Sequence, residues 1–167
     1  SQTLRVFIGI DVPDQAKRAL LDLVEKLKEQ VVPGVRWVRP EGIHLTLNFL
    51  GNVNAAMIEP ILRGIEATAQ RTPPFQLQLG DVGGFPSPGF PQVIWVGLKG
   101  DLEVLLTLQE RIEGAMKGWG ISPEERNFVP HLTLGRVRQR GPSVQRGLIG
   151  QALTHLALKQ TPGWRVE

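Results

Sequence analysis

HLTLNFLG, residues 44–51, decides how the rest of this chain is read, because its first four letters recur in HLTLGRV at 131–137. The two copies use two of only three histidines in 167 residues. On a β-strand, successive side chains point to opposite faces. His44 and Thr46 therefore share one face of their strand, and Leu45 and Leu47 share the other. His131 and Thr133 stand against Leu132 and Leu134 in the same way. The leucines make a natural core face, which leaves an imidazole beside a hydroxyl on the opposite face, twice. Each strand is preceded by proline punctuation, Pro40 and Pro130.

Around these strands the chain divides into two comparable halves. LRVFIGID (4–11) alternates and is rich in β-branched residues, so it reads as a strand. Pro13 opens a helix with Ala16, Ala19/Leu20, Leu23/Val24, Leu27 and Val31 at helical spacing. PGVRWVRP (33–40) gives a turn and a short strand. Asn54 is a candidate N-cap for a helix with Ile58, Ile61, Leu62 and Ile65 on one face, whose regular part starts near Ile58 because of Pro60. In the second half, PFQLQLGDV (74–82) and QVIWVGL (92–98) read as strands separated by a Gly/Pro loop, GGFPSPGFP (83–91). Asp101 is a candidate cap for a helix with Leu102, Leu105/Leu106, Leu108, Ile112 and Met116, ending near Gly118 and Gly120. A weaker helix over roughly 143–157 and a short strand, GWRVE (163–167), complete the reading. The expected architecture is α+β, with residues 1–167 forming one bilobal domain of two similar lobes.

Composition narrows the chemistry. The chain has 41% hydrophobic and 21% charged residues, as a soluble globular domain does. No apolar run is long enough to span a membrane, and the N-terminal segment reads as a strand rather than a signal peptide. With no cysteine, disulfides, thiolate metal ligands and a cysteine nucleophile are excluded. The net charge of +3 is unevenly placed: Arg136, Arg138, Arg140, Arg146, Lys159 and Arg165 face only Glu167 beyond Asn127. A basic C-terminal quarter suits a polyanionic ligand, although a solvated basic face would read the same. The cytoplasm and a monomer are the default expectations.

Two histidines with no adjacent carboxylate or thiolate make a poor metal set, so neither a metal nor a cofactor is expected. No Gly-x-Ser-x-Gly elbow is present. Imidazoles with an ordinary pKa of about 6.5 can divide base and acid roles at neutral pH. Such a pair suits phosphoryl chemistry, with each threonine donating to a phosphate oxygen. Spacing alone does not say which histidine is the acid. A lone strand histidine is more often structural; His155, alone in the apolar helical stretch ALTHLALK (152–159), is assigned to structure too.

At these residues the chain resembles the two-histidine phosphoesterase superfamily, and within it the LigT-type RNA 2′,3′-cyclic phosphodiesterases, also called 2′-5′ RNA ligases. The likeness is carried by FIGIDVP (7–13), WVRPEGIHLTLNFLG (37–51), GGFP (83–86), VIWVGL (93–98) and RNFVPHLTLGRV (126–137). It implies a bilobal fold of mainly antiparallel sheet with outer helices and a central cleft. It also implies opening of a 2′,3′-cyclic phosphate at an RNA 3′ end to a 2′-phosphate. His44 would be the proton donor and His131 the proton acceptor, with Thr46 and Thr133 holding phosphate oxygens. Arg126 would contact phosphate or ribose. Phe7 lies opposite Val6, Ile8 and Ile10 by parity and could stack a base or pack in the core; Trp37 and Phe49 share that ambiguity. Arg136 falls with the leucines by parity unless the strand bulges at Gly135. Asn48 stands where the family often has lysine. The expected partner is RNA with a cyclic phosphate end, with small cyclic nucleotides left open. The competing readings are a 2′-5′ RNA ligase joining a cyclic phosphate to a 5′-hydroxyl, and a non-catalytic RNA-binding module.

Overall fold

The computed structural model describes residues 2–30, 34–86, 91–123, 127–138 and 163–166. The weaker helix expected near 143–157, together with His155, lies outside them, as does most of the basic C-terminal segment.

The three long helices form where periodicity placed them, but their ends are set by particular groups. In α1 (Asp14–Gln30) the Lys17 N–H donates to the Pro13 carbonyl at 3.0 Å, starting the helix just after the proline. Its inner face buries Ala16, Ala19, Leu20, Leu23, Val24 and Leu27. The Asn54 side chain accepts from Ala56 N–H at 2.9 Å, capping a 3₁₀ turn over Ala55–Met57 that runs into α2 (Ile58–Gln70). Pro60 falls in the first turn, where its missing N–H is not needed. Leu62 departs from its expected face: it is 59% exposed, while Ile61 is the residue fully turned inward. In α3 (Leu102–Gly118) Asp101 holds the N-cap position without capping. Its carboxylate instead accepts from Gln76 N–H at 2.9 Å, which ties the helix start to a neighbouring strand. The end of α3 is a Schellman turn: Ile121 N–H donates to Met116 at 2.9 Å and Gly120 N–H to Lys117 at 3.1 Å, with Gly120 at φ 74°.

The strands are β1 (Thr3–Asp11), β2 (Val35–Trp37), β3 (His44–Asn54), β4 (Phe75–Phe85), β5 (Val93–Gly100), β6 (His131–Val137) and β7 (Gly163–Val166). They make two sheets, β1-β3 and β2-β6-β5-β4-β7, and every ladder is antiparallel. The halves of the sequence are therefore not the two sheets. β2 leaves the N-terminal half to pair with β6, where Trp37 and Val35 pack against the core. β4 also runs further than expected, taking Gly83–Phe85 into the strand that sequence alone assigns to a loop.

The two motif strands are local copies of each other. From His44 to Leu50 and from His131 to Val137, burial follows the same order: half-buried, buried, half-buried, buried, buried, exposed, buried. Each also carries a β-bulge at the same place. Leu47 is the extra residue between the Thr46–Gly9 and Asn48–Ile8 pairs, and Leu134 between the Thr133–Trp95 and Gly135–Ile94 pairs. An extra residue in one strand breaks the strict alternation of faces beyond it. Leu45, Leu132 and Leu134 are wholly buried and Leu47 nearly so, which anchors both strands through the leucine face. Leu132→Ala should cost roughly 2–5 kcal/mol, read as a lower urea midpoint with an unchanged denaturant slope.

Candidate active site

His44 opens β3 directly after a 3₁₀ turn at Pro40–Gly42 and the buried Ile43. The Phe7 ring of β1 stacks on its imidazole, with centroids 4.4 Å apart and planes 14° from parallel. Gly9 makes that possible. A Cβ there would sit 2.9 Å from the Leu45 carbonyl oxygen, 3.3 Å from the Phe7 ring and 3.6 Å from the His44 ring. Across the ladder, Thr46 pairs with Gly9 and His44 with Asp11. Burial lowers the His44 pKa from its ordinary 6.5, Asp11 opposes that shift and Lys17 adds to it. The cause is physical: a half-covered imidazole loses part of the water that would stabilise its charged form.

Phe7 covers one face of the ring and gives this shift a direct test. Phe7→Ala should raise the His44 pKa toward 6.5, measured by NMR titration of the ring. A fall would show that attraction between the phenyl face and the imidazolium outweighs desolvation.

His131 opens β6 after Phe128, Val129 and Pro130. Its Nδ1 lies 2.6 Å from the Val129 carbonyl oxygen. A carbonyl only accepts, so Nδ1 carries the proton and donates it; in the neutral ring Nε2 is left with a free lone pair. Phe85 meets the ring edge-on at 5.1 Å and 90°, and Trp95 at 6.2 Å and 60°. Trp95 lies across Gly83, where an added Cβ would come 2.5 Å from its indole. The imidazole is thus held by one hydrogen bond and two rings, with Thr133 on the same face, paired to Trp95.

β3 and β6 belong to different sheets but come into contact. The structure thus brings the two His-Leu-Thr-Leu strands together, each with its His and Thr on the face away from the buried leucines. Among the described residues no three His, Asp or Glu side chains group as a metal site.

The bulges set which way Phe49, Arg136 and Asn48 face. Phe49 is not a core residue: it is 53% exposed and meets Phe7 at 6.3 Å. Arg136 does not fall with the leucines either. Gly135 takes the core side, against Val35 and Trp37, and Arg136 is exposed opposite Arg36 on the face shared with His131. Asn48, by contrast, is turned inward and buried, with no hydrogen bond to its Oδ1 among the described residues. Phe7 itself is 45% exposed, so it covers the histidine instead of filling the core. Arg126 lies outside the described residues. Asp11, Lys17, Phe85 and Trp95 were not singled out by sequence. Parity carried a signal for two of them: Asp11 continues the series Arg5, Phe7, Gly9, and Trp95 alternates with the core residues Ile94 and Val96.

Comparison with known proteins follows the same lines. The family described as LigT like phosphoesterase matches residues 10–95 and 96–162. An RNA 2′,3′-cyclic phosphodiesterase of Archaeoglobus fulgidus is 35% identical over 142 residues, covering 84% of this chain and 77% of that protein. One of Thermotoga maritima is 35% identical over 135 residues, covering 81% and 71%. Among solved structures, Escherichia coli LigT in complex with 3′-AMP aligns with a TM-score of 0.69 at 26% identity, over 84% of this chain and 78% of that one. A Thermus thermophilus protein aligns with a TM-score of 0.76 at 24% identity, over 98% and 85%, and shows the fold alone.

Proposed function

The chain belongs to the LigT-like phosphoesterase family, and on that premise we propose that it hydrolyses the 2′,3′-cyclic phosphate at an RNA 3′ end to a 2′-phosphomonoester, without a metal. The observation that carries this reading is the matched pair of motif strands. Two strands carrying His-x-Thr faces, with the same burial order and the same bulge, belong to separate sheets and are in contact.

In the proposed reaction His131 Nε2 takes a proton from water as the water oxygen bonds to phosphorus, in line with the departing 3′ oxygen. The P–O3′ bond breaks and the 3′ oxygen takes a proton from His44. The 2′ oxygen stays on phosphorus, giving a 2′-phosphate and a 3′-hydroxyl. The two imidazoles exchange protonation states and reset through solvent. The Val129 hydrogen bond supports the base assignment, because it fixes the tautomer that leaves Nε2 free. Thr46 and Thr133 donate to the non-bridging oxygens, where charge builds in the transition state. Phe7, exposed beside His44, offers a face for the terminal base. Arg126 is assigned to phosphate or ribose from the family resemblance. The proposed setting is a cytoplasmic monomer of one domain acting on RNA ends; no described helix is long and apolar enough to cross a membrane.

The test is product identity. A short RNA ending in a 2′,3′-cyclic phosphate, incubated with the protein in EDTA, should yield a 2′-phosphomonoester. A 3′-phosphate product, or turnover that EDTA abolishes, would overturn the reading.

A further inference from the structure

The two histidines have the same strand environment along the chain but different partners across it. In the β1–β3 ladder the residue paired with His44 is Asp11. In the β5–β6 ladder the residue paired with His131 is Gly97, which has no side chain. Directly paired residues in an antiparallel ladder stand on the same face with Cβ atoms about 5 Å apart. Asp11 therefore projects on the motif face, in series with Phe7 and Gly9 and opposite Ile8, which is buried. Among the described residues its carboxylate makes no ion pair; the pairs there are Lys28–Glu25 and Lys99–Asp81.

We propose that Asp11 is the positioning residue of the acid, its carboxylate stabilising the His44 imidazolium so that His44, not His131, enters the reaction holding the proton. This rests on the phosphodiesterase reading and deepens it by naming what divides two otherwise matched histidines. Two consequences of the geometry support it. His131 has a backbone carbonyl on Nδ1, which leaves Nε2 as the nitrogen open to substrate, and no carboxylate across its ladder. Burial disfavours the charged form of His44, and the Asp11 carboxylate opposes that shift. Among the described residues, the charged groups acting on His44 are Asp11 from β1 and Lys17 from the first turn of α1, with opposite signs. β3 itself contributes the uncharged Thr46. Asp11 exchanges no proton with substrate; it favours the form of His44 that donates to O3′.

The signs fix the experiment. Replacing the carboxylate by an amide removes a negative charge beside the imidazolium, so His44 gives up its proton at lower pH. Replacing the ammonium of Lys17 does the reverse. The pH dependence of kcat/KM is therefore measured for wild type, Asp11→Asn and Lys17→Met on a cyclic-phosphate oligonucleotide. In parallel, the His44 ring is titrated by NMR in the unliganded proteins. The expected result for Asp11→Asn is a basic limb displaced to lower pH. Its rate should be about two- to fivefold below wild type at pH 8, converging toward wild type in acid, as expected for loss of one exposed charge interaction. Lys17→Met should displace the limb the other way. A uniform loss at every pH, or a His44 titration that neither substitution moves, would overturn the role given to Asp11. The titration needs no turnover. Hydrolysis failing in wild type would defeat the phosphodiesterase reading, while an unmoved ring titration would defeat this inference alone.

Discussion

His131→Ala should lower kcat on a cyclic-phosphate RNA by about 10²–10⁴-fold, the range typical of a lost general base. The loss should come with little change in stability. His131 is only half-buried, and the strand is held by Leu132 and Leu134 on its other face, both fully buried. What disappears is the lone pair on Nε2, which the Nδ1 hydrogen bond to Val129 keeps available at 2.6 Å. Water without a base must shed its proton to solvent during attack, and that raises the barrier. Equal thermal midpoints with unequal kcat would separate this chemical loss from a folding defect. A variant with wild-type kcat would remove His131 from the reaction.

His44→Ala should be comparably damaging on RNA, but for a reason that can be read from the leaving group. A ribose 3′ oxygen departs poorly as an alkoxide and needs a proton; p-nitrophenolate does not. On a phosphodiester with a p-nitrophenolate leaving group, the deficit of His44→Ala should shrink to less than about tenfold, while that of His131→Ala persists. The opposite pattern would exchange the acid and base roles. Burial lowers the pKa of His44, so the fraction of enzyme able to donate falls as pH rises through that lowered value. The wild-type rate on RNA should therefore decline on the alkaline side, and the decline should weaken on the activated ester.

The strand faces and the helices were legible because they depend on local periodicity. Leu45, Leu47, Leu132 and Leu134 are buried as alternation requires, and α1 and α3 carry their apolar faces where spacing put them. The features that complete the candidate site depend on what lies across the ladder, which no local pattern reports. The bulges at Leu47 and Leu134 exist only relative to Ile8 and Ile94, yet they bring Phe49 and Arg136 to the exposed face and turn Asn48 inward. Asp11 reads as a strand-ending acid until register pairs it with His44. Likewise, β2 looked like part of the first half because its partner β6 is about a hundred residues away along the chain. Asp101 shows the same limit at smaller scale: it stands where a cap should, and tertiary structure gives its carboxylate to Gln76 instead.

The central claim is that the two motifs are halves of one site working on one phosphate. Turnover of a cyclic-phosphate oligonucleotide by wild type, His44→Ala, His131→Ala and the double variant tests it most directly. Groups that act as a unit show strongly non-additive losses, so both single variants and the double variant should fall to nearly the same residual rate. A single variant that keeps wild-type turnover, or losses that multiply in the double variant, would contradict it.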